Sequence, residues 1–139
     1  MVDFMKRMIL SVSKVAVLFL GLSGIAHAAP LTRAVQVVEG TETHLYLGTA
    51  FGQTLYTFDL DANGQSACAQ TCAEKWPPLL VSAADAATLA TPYGTTTRAS
   101  GLIQVTYGNK PLYTFFLDHA EGDDKGDGAG GVWHDIDFE

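Results

Sequence analysis

Cys68 and Cys72 are the only cysteines in the chain, and their C-x3-C spacing supports three chemistries. In an oxidising compartment the pair closes a disulfide over a very short loop. As thiolates it holds soft Cu(I), with His119 or His134 as a third ligand. As a dithiol it exchanges electrons with another disulfide. The spacing is neither the C-x2-C of thioredoxin-type motifs nor the C-x2-C-H of covalent haem attachment. The disulfide is the primary reading, because the N-terminus carries an export address.

Carboxylates and imidazoles supply the remaining chemistry. Asp59-Leu60-Asp61-Ala62-Asn63-Gly64 matches the first half of a calcium loop, but the twelfth position is Gln70, where a bidentate glutamate is needed. An Asx-type turn is the expectation there. Asp118, His119, Asp123, Asp124, Asp127 and His134 cluster in sequence around a glycine-rich stretch, 119–131. They are candidates for a hard cation, calcium first, although an exposed flexible loop has the same composition. Asp118 adjoins His119 and His134 adjoins Asp135, a combination that could serve as acid–base equipment. Four histidines in 139 residues make such proximity common, however, and the non-catalytic reading is preferred. A hydrolase reading requires Asp118, His119 and His134 to meet in one concave site. The chain has no nucleophile elbow and no phosphate-binding glycine loop between a strand and a helix.

The elements that must position these groups come in two copies. Leu55-Tyr56-Thr57-Phe58 recurs as Leu112-Tyr113-Thr114-Phe115, displaced by 57 residues. Leu60 and Asp61 recur as Leu117 and Asp118, and Trp76 recurs as Trp133, at the same displacement. Such an internal period outranks single motifs. The expected architecture is mainly β, a small single domain of two related β-hairpin units with a short helix carrying the cysteine pair. Residues 29–42 are an N-terminal extension or edge strand, and 43–139 form the two-repeat domain, with units over about 43–82 and 100–136.

In the first unit, 43–47 and 54–59 read as strands around Gly52-Gln53. In the second, 102–107 and 112–117 read as strands around Gly108-Asn109-Lys110-Pro111. Val132 to Ile136 reads as a last strand. Ser66 is a cap for a helix over 67–75, and Ser82 for one over 83–89. The stretch 94–100 reads as a loop. Tyr56 and Phe58 share one strand face, as do Tyr113 and Phe115. Their expected place is a shared core; the competing reading is an exposed aromatic platform for a glycan or planar cofactor. Asp61 and Asp118 sit three residues past a phenylalanine in both units, which suits a side chain accepting hydrogen bonds from loop amides.

The chain has 139 residues, with 8 Lys plus Arg against 15 Asp plus Glu. Lys6, Arg7 and Lys14, the apolar run 15–25 and Ala26-His27-Ala28 form a signal peptide, 1–28, to be cleaved. The apolar run is too short to span a bilayer, which takes about 20 residues. Cleavage leaves five basic residues against fourteen acidic ones. That charge argues against nucleic-acid binding and against adhesion to an anionic membrane. No cysteine stands at the signal boundary, so neither a lipid anchor nor a transmembrane segment is expected after cleavage. The mature protein is expected free in the periplasm or secreted.

Tyr56-x-Phe58-x-x-Asp61 and Tyr113-x-Phe115-x-x-Asp118 resemble the bacterial secreted-repeat family, predicted lipoproteins with a Yx(FWY)xxD motif. Ser66-x-Cys68-x-x-x-Cys72-Ala73-x-x-Trp76-Pro77-Pro78-Leu79 is similar to the family's cysteine–tryptophan–proline segment. Gly122-Asp123, Gly126-Asp127-Gly128 and Gly130-Gly131-Val132-Trp133 are similar to its acidic glycine loop. The resemblance implies an envelope location and a two-repeat domain, and carries no assigned activity. The functional expectation is a non-enzymatic module for a small ligand or an envelope protein, without a cofactor. Copper binding or thiol redox chemistry at Cys68 and Cys72 is the alternative, with a hydrolase third.

Overall fold

The computed structural model describes residues 32–39 and 41–138. The signal peptide read over 1–28 lies outside the described residues. In chain order the strands and α-helices are β1 (Thr32–Glu39), β2 (Glu42–Thr49), β3 (Tyr56–Phe58), α1 (Thr71–Lys75), β4 (Leu80–Val81), α2 (Ala83–Ala86), β5 (Tyr93–Thr97), β6 (Ile103–Tyr107), β7 (Lys110–Pro111) and β8 (Trp133–Asp135). The domain is mainly β, with few and short helices.

β1 pairs antiparallel with β2, bringing Val35 opposite Tyr46. β5 pairs in the same sense with β6, bringing Thr95 opposite Val105. Residues 94–100, read as a loop, therefore contribute most of a strand. Thr95, Thr96 and Thr97 are β-branched and suit a pleated surface, and β6 supplies the ladder that satisfies their backbone. The two β-hairpins of the repeat are thus β1–β2 and β5–β6, and the segment 29–42 supplies the first strand of the first one.

Connections between the units are reciprocal. β3 of the first unit pairs with β8 of the second, with Tyr56 opposite Asp135 and Phe58 opposite Trp133. The equivalent of β3, 113–115, meets the segment after Trp76: Tyr113 bridges Pro78, and the Thr114 amide donates to Pro77 O at 2.8 Å. The Val105 amide donates to Leu79 O and the Leu47 amide to Ile136 O, each at 2.8 Å. Each unit therefore gives its tryptophan-bearing segment to the other. None of the expected strand 112–117 forms a ladder: β7 lies just before it, at Lys110–Pro111, residues read as part of the turn. The segment is held by single bridges, Tyr113 to Tyr56 and to Pro78.

Two other elements differ from expectation. The helix expected over 67–75 is confined to Thr71–Lys75, so Cys72 lies in it and Cys68 before it. Residues 66–70 are diverted: the Ala67 amide donates to Asp61, the Cys68 amide to Ser66 Oγ, and Gln70 takes φ 52°. Local side-chain acceptors compete with helical bonds in this way. α2 is shorter than 83–89 but capped as expected, Ser82 Oγ accepting from the Asp85 amide at 3.1 Å.

The core has two layers that follow the repeat. Leu47, Leu55, Val105 and Leu112 form one, with Leu55 and Leu112 at equivalent positions. Tyr56, Tyr113, Cys68, Trp76 and Trp133 form the other, with Phe58, Cys72 and Phe115 packed against them.

Candidate functional site

The candidate residues meet around the axis relating the two units. Phe58, Trp133, Trp76 and Phe115 make one continuous stack. Successive centroids are 4.1, 3.8 and 4.3 Å apart, and the indole planes lie within 2° of each other. Phe58 stacks on the tryptophan of the opposite unit because β3 pairs with β8. Phe115 does so because 113–115 meets the segment after Trp76. Tyr56 and Tyr113 close the stack edge-on, against Trp76 at 5.4 Å and Trp133 at 5.1 Å. Both tyrosines have no exposed surface, so their rings form no platform open to a glycan or cofactor.

The hydroxyls of those tyrosines reach across the same axis. Tyr56 donates to Asp118 Oδ2 at 2.6 Å, and Tyr113 donates to Asp61 Oδ2 at 2.7 Å. Each carboxylate also takes a loop amide from its own unit: Asp118 from Lys125 at 3.0 Å, Asp61 from Ala67 at 2.6 Å. The Tyr56 hydroxyl accepts from the Gly126 amide at 3.3 Å, and Tyr113 Oη lies 2.7 Å from Ser66 Oγ. Asp61 and Asp118 thus tie each loop to the strand of the other unit.

Burial raises the pKa of all four groups. It raises Asp118, against the hydrogen bond from Tyr56 and the Lys125 amide, which lower it. It also raises Asp61, against the Ala67 amide, the Tyr113 hydroxyl and the charge of Arg98. Tyr113 is pushed up to about 12, chiefly by burial, and Tyr56 is raised further, by burial and then by Asp118. Both phenols therefore stay protonated at neutral pH and act as hydrogen-bond donors.

Cys68 and Cys72 form a disulfide, with a Cα separation of 5.2 Å. Cys68 lies in the aromatic core and Cys72 packs against it. The bond removes the two thiolates that the copper reading needs.

The acidic residues do not converge. Asp123 accepts from the His119 and Ala120 amides at 2.9 and 3.0 Å, and those bonds hold its carboxyl below the usual range. Asp127 accepts from the Asp135 amide at 3.2 Å. His134 Nε2 lies 2.8 Å from Asp59 Oδ2, not on Asp118 or His119. Among the described residues, no three His, Cys, Asp or Glu side chains are grouped to hold a metal ion. Of the set Asp118, His119, Asp123, Asp124, Asp127 and His134, the carboxylates of Asp118, Asp123 and Asp127 each accept backbone amides. Asp118, His119 and His134 do not form a catalytic constellation, since the hydrogen bonds of Asp118 and His134 run to different partners.

The loop read as flexible is hydrogen-bonded along its length, for Thr54 Oγ1 also donates to Asp123 O at 2.6 Å and Arg33 pairs with Glu121 at 2.6 Å. At the half-match to a calcium loop, Asn63 and Gly64 take φ of 55° and 72°, and the Gln65 amide closes a turn on Ala62 O. Two successive positive φ values define a tight primed turn.

A family described as a secreted repeat of unknown function matches residues 47–80 and 94–136, together more than half the chain. The chain belongs to this family. No curated protein and no solved structure matches it. The two matched segments of the secreted repeat are the two interlocked units, and the gap between them holds α2. Secretion puts the domain in the periplasm or the medium. Among the described residues, no helix is long and apolar enough to cross a membrane.

The surface of the secreted repeat carries two clefts that sequence reasoning did not find. One, of about 440 Å³, lies between Asp59, Lys110, His134, Asp135 and Asp137. Asp135 is pushed up to about 6 there, first by burial and then by Asp127, Asp137 and Asp124. The other, of about 680 Å³, includes Ser66 and Arg98. The Asp59–His134 pair had no signal in the sequence, because Phe58 and Trp133, which precede them, are brought together only by the pairing of β3 with β8. Arg98 had none either.

Proposed function

We propose that this exported domain is a non-enzymatic binding module for a small ligand or an envelope protein. One observation carries the reading: the repeated Tyr, Asp and Trp residues satisfy one another across the unit boundary, so the motif builds a rigid frame. A frame with locked rotamers is what a preorganised recognition surface needs. Its two clefts, about 440 and 680 Å³, fall in the size range of small-molecule sites, about 300–1,000 Å³. The net acidic composition favours a solvated surface over non-specific association with polyanions.

The test pairs two measurements on the mature, disulfide-bonded protein. Chromogenic ester, phosphate, peptide and glycoside substrates are expected to show no turnover. A small-molecule panel followed by amide NMR is expected to give saturable shifts at residues lining one of the clefts. Turnover of any substrate that is abolished by His134→Ala would overturn the reading, as would a panel that moves neither cleft.

A further inference from the structure

We propose that the cleft of about 680 Å³ is an oxyanion site, taking a small carboxylate-bearing ligand through Arg98. The inference rests on the binding-module reading and names the ligand chemistry for one cleft. Its walls come from both units. Gln65, Ser66 and Gln70 lie on the segment entering α1, and Thr97, Arg98 and Ser100 on the end of β5 and the turn after it.

The lining charge runs against the composition of the chain. Acidic residues outnumber basic ones 15 to 8, yet the cleft is lined by one cation and by no carboxylate. The cation is fixed in place. Arg98 Nη1 donates to Gln104 Oε1 at 2.7 Å and to Ser66 Oγ at 2.9 Å, and Nη2 donates to Cys68 O at 2.6 Å. Gln104 is fully buried and is itself held by Leu112 O at 2.8 Å. Every one of these acceptors is neutral. The charge of Arg98 also acts on Asp61, whose carboxylate is committed to the Tyr113 hydroxyl and the Ala67 amide.

A guanidinium has five N–H donors. Three are used, and two have no partner among the described residues. A planar cation with spare donors suits a carboxylate, whose two oxygens accept in parallel. Sulfate and phosphate present the same oxygens at similar spacing. Thr97, Ser100, Gln65 and Gln70 also line the cleft, and residues of these types can donate to further oxygens on the ligand. Carboxylates elsewhere on the surface oppose an anion in this cleft only weakly, since exposed charges more than about 8 Å apart are largely screened at physiological salt.

The experiment is an amide NMR titration of the mature, disulfide-bonded protein with malonate, with sulfate and with chloride, all at one ionic strength. Malonate is expected to give saturable shifts at the amides of 65–70 and 97–100, and chloride none. Saturation by malonate alone identifies a carboxylate site; equal saturation by sulfate identifies a general oxyanion site. Ser100→Glu places a carboxylate at an exposed lining position and is expected to weaken malonate at least about tenfold. Arg98→Lys keeps the charge, loses the fork and is expected to weaken it by a similar factor. Should Arg98→Lys fail to fold, Ser100→Glu decides alone. The proposal is overturned if the shifts match those in chloride, fail to saturate, or survive Ser100→Glu unchanged. Saturable binding of other ligands at the Asp59–His134 cleft would then leave the binding-module reading standing. Silence at both clefts would remove both.

Discussion

Replacing Tyr56 by Phe removes one oxygen and leaves the aromatic packing in place. That oxygen donates to the buried Asp118 at 2.6 Å and accepts from the Gly126 amide at 3.3 Å. A hydrogen bond to a charged group contributes about 1.5–3 kcal/mol, and a buried amide left without its acceptor costs about 1 kcal/mol or more. Together they put the loss for Tyr56→Phe at about 2–4 kcal/mol. Asp118 makes the loss depend on pH. Burial already raises its folded-state pKa, and the Tyr56 hydrogen bond opposes that rise. Without the hydroxyl the carboxyl rises further, so the folded state gives up more stability as pH climbs through the ordinary carboxylate range. In acid, with Asp118 protonated in both states, the loss falls towards that of a neutral hydrogen bond, about 1 kcal/mol. Urea denaturation of the disulfide-bonded protein at about pH 2.5, below the ordinary aspartate range, and at about pH 7.5 reads both limits. A double-mutant cycle with Asp118→Asn isolates the pair term, expected at about 1.5–3 kcal/mol at the higher pH. Tyr113→Phe is the internal control. Asp61 keeps the Ala67 amide and the nearby charge of Arg98, so its loss is about 1–2 kcal/mol. A Tyr56→Phe loss under about 0.5 kcal/mol, equal at both pH values and with no coupling to Asp118, would refute the reasoning.

The close approach of Gly126 to the stack sets a second prediction. A Cβ there would lie 2.7 and 2.9 Å from Trp76 ring carbons and 3.0 Å from Phe115 Cγ. Gly126→Ala is expected to cost about 1–3 kcal/mol as overpacking and to weaken the near-ultraviolet circular dichroism of the stacked indoles. Asp135, pushed up to about 6, stabilises the fold most in acid and withdraws that contribution as pH rises through about 6. Asp135→Asn should therefore raise urea stability near pH 8 by about 1–2 kcal/mol, after allowance for solvent screening, and flatten the profile between pH 4 and 7. The disulfide closes a loop of only four residues' separation. Cys68→Ala with Cys72→Ala should lose about 2 kcal/mol in a urea titration, the chain-entropy value for so short a loop.

Much of the domain was legible because its repeat is written in large side chains. Tyr56, Phe58, Asp61 and Trp76 recur at one displacement, and that alone implied equivalent strands and loops. The Ser82 cap and the strand 102–107 followed from local chemistry acting over a few residues. The helix over 67–75 was overestimated because Asp61 and Ser66 capture the Ala67 and Cys68 amides. Asp61 lies six residues from the amide it takes, so no helix propensity registers the competition. The stretch 94–100 was underestimated because its threonines become a strand only when β6 lies beside them. The acidic loop 119–131 looked free, since composition does not show that Asp123, Asp127 and Asp118 each hold amides of their own surroundings.

What the sequence determined by itself was local or periodic: the duplication, the mainly β character, and residue types suited to a disulfide and to loop-capping carboxylates. Only the tertiary structure decided which copy each residue serves. Tyr56 is five residues from Asp61 but bonds Asp118, and Phe58 stacks on Trp133 rather than on the tryptophan of its own unit. The physical reason lies in a duplication's degeneracy: pairing within a unit and pairing between units satisfy the same donors and rings. The choice between them depends on strand register and loop length, and here the ladder of β3 with β8 settles it.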